Sequence, residues 1–158
     1  MNIINDYMIS LSTIAIVPYR HPQYQTMIID EEGIFYTSER PEQIISRSCI
    51  TYGASYNGRR DAAIYLLNYI QKTPILISEA DGMIAIPTHS PDREECAWIF
   101  YHHIKKIKTN EKNGCILKFH NYTHLELKIS SQTMKQQIHK AAVIYSIFCI
   151  KNIHFSFD

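Results

Sequence analysis

From Cys115 to Ser130 the chain alternates between apolar and polar positions. Cys115, Leu117 and Phe119 are separated by Ile116, Lys118 and His120; after a turn, Leu125, Leu127 and Ile129 are separated by Glu126 and Lys128. A period of two predicts a hairpin with one side on a core and the other, mostly basic, side in water. The same strand–turn–strand shape occurs twice earlier. In TMIIDEEGIFYT, residues 26–37, two apolar runs flank Asp30-Glu31-Glu32-Gly33, where glycine supplies a positive φ. In PILISEADGMIAIP, residues 74–87, Asp81-Gly82 sits between isoleucine-rich runs.

Two main helices are predicted. Arg59 to Gln71 carries Ala62, Ala63, Leu66, Leu67 and Ile70 in a helical stripe. Ser131 to Ile150 opens on a serine cap and carries Met134, Ile138, Ala141, Tyr145 and Phe148, with Lys135, His139 and Lys140 off the stripe. After the first hairpin, RPEQIISRSC places Pro41 at a first helical position, with Ile44-Ile45 as a short buried face. AWIFYHHIKKIK, residues 97–108, fits both periods; its aromatic and β-branched content favours a strand. Three hairpins and two main helices make an α+β fold, mostly antiparallel, and 158 residues suit one domain spanning 1–158.

Composition changes little in this picture, but charge changes more. Residues 1–96 hold 7 Lys/Arg and 12 Asp/Glu, a net of −5, and residues 97–158 hold 9 and 3, a net of +6. Two arrangements are open: a basic face opposed to an acidic one, or two solvated halves that attract each other. The overall charge of +1 is low for a domain that binds nucleic acid. No apolar run is long enough to span a bilayer, and the N-terminus lacks the positive start of a secretory signal, so a cytosolic protein is expected.

The four cysteines, Cys49, Cys96, Cys115 and Cys149, form no C-x-x-C pair and read as reduced, mostly buried thiols. Cys115, His120 and His124 share a hairpin, but the alternation turns the cysteine inward and the histidines outward, against a metal site. His102 and His103 are adjacent, so in a strand their rings would face opposite sides.

GASYNGRR, residues 53–60, spaces two glycines as a nucleotide-phosphate loop does. The Lys and Ser/Thr that such a loop needs are replaced by Arg59 and Arg60, which opposes NTP chemistry. A second reading keeps the phosphate: a helix starting after Gly58 would offer N–H groups to an anion, and Ser55, Tyr56, Arg59 and Arg60 carry donors for a nucleic-acid backbone. The plain alternative is a glycine turn with two solvated arginines. Tyr56 has two readings, phosphate donor or core filler.

The chain resembles the competence transcription factor (ComK-like) family. Gly33, Phe35 and Tyr36 are followed by Pro41, Gln43 and Ile44, then by Arg47-Ser48-Cys49 and Gly53-x-Ser55-Tyr56-x-Gly58-Arg59. Lys72-x-Pro74-Ile75, Pro87-Thr88, Cys96-x-Trp98-Ile99, His103-x-Lys105 and Lys108 continue the match, and Phe119, Leu127, Ser130 and Gln137 fall on the last hairpin and helix. The resemblance implies a DNA-binding activator of DNA-uptake genes that recognises paired AT-rich boxes, largely through the minor groove, as associated dimers. It implies no enzymatic activity and no cofactor. Known members carry a C-terminal extension that serves assembly and a Clp-type adaptor. The chain ends soon after its last predicted helix, so the expectation is a short member without that handle. A non-DNA-binding paralogue that pairs with a full-length regulator is the rival reading.

The motifs do not say which side chains meet DNA. On physical grounds Arg47, Arg59 and Arg60 are candidates for groove or phosphate contact, with Ser55 and Tyr56 beside them, and Lys105, Lys106, Lys108, Lys118 and Lys128 for the backbone.

Overall fold

The computed structural model describes residues 1–149 and Ser156. Six strands, β1 (Thr13–Pro18), β2 (Thr26–Asp30), β3 (Gly33–Thr37), β4 (Ile75–Ser78), β5 (Met83–Pro87) and β6 (Trp98–Phe100), form one sheet in the order β3-β2-β1-β6-β5-β4. Every pairing in it is antiparallel. Three more, β7 (Ile104–Thr109), β8 (Cys115–Phe119) and β9 (His124–Leu127), form a second antiparallel sheet. The helices are α1 (Pro41–Thr51), α2 (Tyr56–Leu67) and α3 (Ser131–Phe148). The α+β class and all three predicted hairpins are present.

The larger sheet is covered on both faces. Ile16, Ile28, Ile75, Ile77, Trp98 and Phe100 pack with Ile44, Ile45 and Cys49 of α1. Ala15, Ile84, Ile86 and Ile99 pack on the opposite face with Cys115, Leu117, Phe119 and Leu127 of the small sheet and Met134, Ala141 and Ile144 of α3. Burial on both sides explains why β4, β5 and β6 are buried at every position. It also explains why β1 escapes an alternation search: its four leading residues are all buried. The inward residues predicted for β8 are the buried ones.

Three predictions differ from the structure. The helix that opens at Pro41 is present and runs eleven residues, so the described residues hold three main helices where two were predicted. Pro41 leads it, and Gln43 closes back on the Arg40 N–H at 2.8 Å. The second helix runs Tyr56–Leu67 and not Arg59–Gln71, because Asn68 ends it in a left-handed conformation (φ 58°). Of its predicted stripe only Ala63 is buried; Leu66 and Ile70 are 54% and 56% exposed. The helix packs along the edge strand β4, so one narrow side suffices to cover it.

The last helix begins at Ser131 as predicted, capped by Ser130, whose Oγ accepts from the Thr133 N–H. Its predicted end at Ile150 lies outside the described residues. Gln137, a polar residue, is buried in it and donates to the carbonyls of Lys72 and Pro87 at 2.8 and 2.9 Å. The buried Pro87 carbonyl and the part-buried one of Lys72 thereby find a donor, and α3 is fixed against the end of β5.

The third difference lies in residues 97–108, expected as a strand. They form β6, one 3-10 turn at Tyr101–His103, and β7. The turn is the corner where the chain leaves one sheet for the other. It brings the two adjacent histidines together, with ring centroids 4.2 Å apart, where a strand would separate them. Both Nε2 atoms lie on the Leu11 carbonyl, at 2.9 and 2.7 Å. A carbonyl only accepts, so both Nε2 atoms carry hydrogens. Burial pushes the pKa of His102 down, which favours its neutral form. The unfolded chain therefore takes up protons below about pH 6.5 that the folded corner resists, so stability is lost as pH falls through that value. Urea midpoints measured from pH 7.5 to 5 should decline, and His102→Gln should flatten part of the decline. Only part is expected, because burial lowers His89 as well.

Candidate nucleic-acid interface

The glycines of GASYNGRR punctuate two helices. Gly53 follows the end of α1 with φ 104°, where its N–H reaches the Ile50 carbonyl and the Ala54 N–H reaches that of Cys49. Ser55 then caps α2, its Oγ accepting from the Gly58 N–H at 2.9 Å. Gly58 lies inside the first turn, and a Cβ there would stand 3.0 Å from that same Oγ. The helix therefore starts before Gly58, not after it, and the cap uses one of the N–H groups an anion would need.

The side chains of this region are largely committed to the fold. Tyr56 packs edge-on against Trp98, ring centroids 6.3 Å apart, and burial raises its pKa. Of its two readings, the structure favours core filler. Arg59 pairs with Glu79 at 3.0 Å. Arg47 meets both carboxylate oxygens of Glu39 and donates to the Tyr7 carbonyl at 2.7 Å. It ties the N-terminal segment to α1, and the Glu39 hydrogen bond raises its pKa. Arg60 is half-buried, its guanidinium 3.5 Å from the Ile70 carbonyl. Ser55 is exposed.

The lysines behave differently. Lys105, Lys106, Lys108, Lys118 and Lys128 are all exposed. The register of the small sheet places Lys106 directly opposite Lys118, and Lys118 directly opposite His124. One row across three strands thus reads Lys, Lys, His. The next reads Lys108, Ile116, Glu126. The acid in that row is engaged, since Asn110 Nδ2 donates to Glu126 Oε1 at 2.8 Å. Lys128 follows Glu126 at strand period just beyond β9. Lys105 is the extra residue of a bulge between Ile104 and Lys106, and its Nζ lies 5.4 Å from the Tyr122 ring. The opposite face of the sheet is spent on the core and α3.

Seven of the ten candidates separate into two groups; Ser55, Arg59 and Arg60 stand at the start of α2, whose Ala63 and Leu67 pack with the small-sheet side. Arg47 and Tyr56 belong to the α1 side of the larger sheet, and the lysines to the small sheet on its other side. Like charges directly opposite each other destabilise a sheet. A Lys–Lys–His row has no structural benefit; what it offers is an array of donors for a polyanion. Sequence reasoning placed His124 outward but left it off the site, since only the register reveals the row.

Residues 4–152 match the ComK protein family. The chain belongs to that family. It is 30% identical over 146 residues, 92% of its length and 76% of the relative's, to the competence transcription factor of Bacillus subtilis (strain 168). No solved structure matches. Among the described residues of this family member, no helix is long and apolar enough to cross a membrane.

Two substitutions separate the groups by stability. Lys118→Glu should leave the denaturation midpoint unchanged or raise stability by about 0.5 kcal/mol, because it replaces repulsion with attraction in an exposed row. Arg47→Ala should lower stability by about 2 kcal/mol, since it strands Glu39 and the Tyr7 carbonyl. Equilibrium urea unfolding of both variants beside the parent protein checks the pair.

Proposed function

We propose that this protein is a DNA-binding transcription regulator of competence genes, and that it seats the outer face of its three-stranded sheet on AT-rich duplex DNA. The observation that carries the reading is the Lys106–Lys118–His124 row. Lys105, Lys108 and Lys128 extend it in both directions, and all five lysines point to phosphate contacts that fix orientation and salt dependence. The family relationship supports the transcriptional role, and its curated relative is named for competence transcription.

A narrow AT-rich minor groove is strongly negative and draws in cations, which suits a face that sets these lysines against one strand acid, Glu126. In this reading the protein works as a dimer on paired boxes, in the cytoplasm, as a binding protein without catalysis. Arg47, Arg59 and Tyr56 serve the fold that holds the face in place.

One observation favours a second reading, a module that pairs with a related regulator. Helix α2 and the residues after it expose Tyr65, Leu66 and Ile70, an apolar surface of the kind partner proteins cover.

Fluorescence anisotropy with a duplex carrying paired A- and T-tracts, against a shuffled GC-rich duplex, tests the first reading across a salt series. Tract-selective binding is expected. The Lys106→Ala/Lys118→Ala variant should bind both duplexes more weakly and reduce the slope of log K against log salt by about 2. A folded parent protein that binds neither duplex at low salt would transfer the function to the second reading.

A further inference from the structure

We infer that Tyr122 is a base-stacking wedge, whose ring enters an AT-rich groove and inserts into a base step once the lysine face has seated. The inference rests on the reading of that face as the DNA-binding surface.

Tyr122 forms the tip of the turn between β8 and β9 and is 88% exposed. Its φ is 70°, in the left-handed region that glycine and asparagine adopt and bulky side chains avoid. A suitable asparagine stands next door at position 121, yet the tyrosine occupies the strained position. The turn around it is firmly built. The Tyr122 N–H donates to the Phe119 carbonyl at 3.0 Å and the Phe119 N–H to that of Thr123 at 2.9 Å. Asn121 Oδ1 accepts from both the Thr123 N–H and its hydroxyl, at 3.1 and 2.6 Å. A rigid backbone thus holds a large aromatic ring in water, with Lys105 beside it. Backbone strain that survives in a well-bonded turn is a mark of function.

Placement separates this tyrosine from the chain's other highly exposed one. Tyr65 is equally exposed, but it lies on ordinary helical backbone in α2. Tyr122 closes the end of the small sheet beside Ile104–Phe119, one register step from the Lys106–Lys118–His124 row. Cations on both phosphate backbones would bring the hairpin tip to the groove floor. Pyrimidine–purine steps such as TA unstack most easily there, and minor-groove proteins exploit this with inserted side chains. The phenol hydroxyl adds a donor that suits the acceptors A N3 and T O2.

The test uses the full chain and tract duplexes carrying 2-aminopurine at successive adenine positions, whose emission rises when the base unstacks. Protein should raise emission at one step. Tyr122→Ala should abolish the rise and cost about tenfold in affinity for the tract duplex, while the salt slope stays as in the parent. Tyr122→Phe should retain the rise. Binding with no rise at any step, or a Tyr122→Ala protein with unchanged affinity and emission, overturns the wedge and leaves the lysine face standing. A parent protein that binds no duplex overturns both.

Discussion

The larger sheet needs cover on both faces, and the rest of the structure follows from that need. Strands β4, β5 and β6 are apolar and buried throughout, so neither side of that half of the sheet can meet water. Helix α1 closes one side. The other is closed by α3 together with the inner face of a second sheet. A three-stranded sheet used this way has one face left over, and the period of two decides what that face carries. Because Cys115, Leu117 and Phe119 point in, Lys118 must point out, and the pairing register lines it up with Lys106 and His124.

The charge asymmetry of the chain acquires a meaning in space. The basic residues 97–158 include all of the small sheet and α3, on one side of the larger sheet. Much of the acidic part forms the sheet itself and the α1 side. Of the two arrangements open at the level of sequence, the distribution supports a basic face.

Hairpins were legible because their signals are local. Gly33 and Asp81-Gly82 mark turns by backbone preference, and the 115–130 alternation shows which way each side chain points. What escaped was decided by partners distant in sequence. Strand β1 carries no alternation because both of its faces are covered. The stripe of α2 implied a core face, but the helix lies along an edge strand and Asn68 stops it early. The site was half legible for the same reason. Each lysine could be placed outward from its own strand, whereas the row they form exists only in the register. Arg59 of GASYNGRR and Arg47 looked available because a sequence does not show that Glu79 and Glu39 lie within reach of them.

Which side of the molecule meets DNA is the central claim, and amide hydrogen exchange with and without an AT-rich tract duplex tests it most directly. Slowed exchange should concentrate in residues 104–109 and 115–128, with α1 and the start of α2 unchanged. Protection centred on residues 47–60, with the three-stranded sheet exchanging as in the free protein, would contradict the account and return the site to the helix pair.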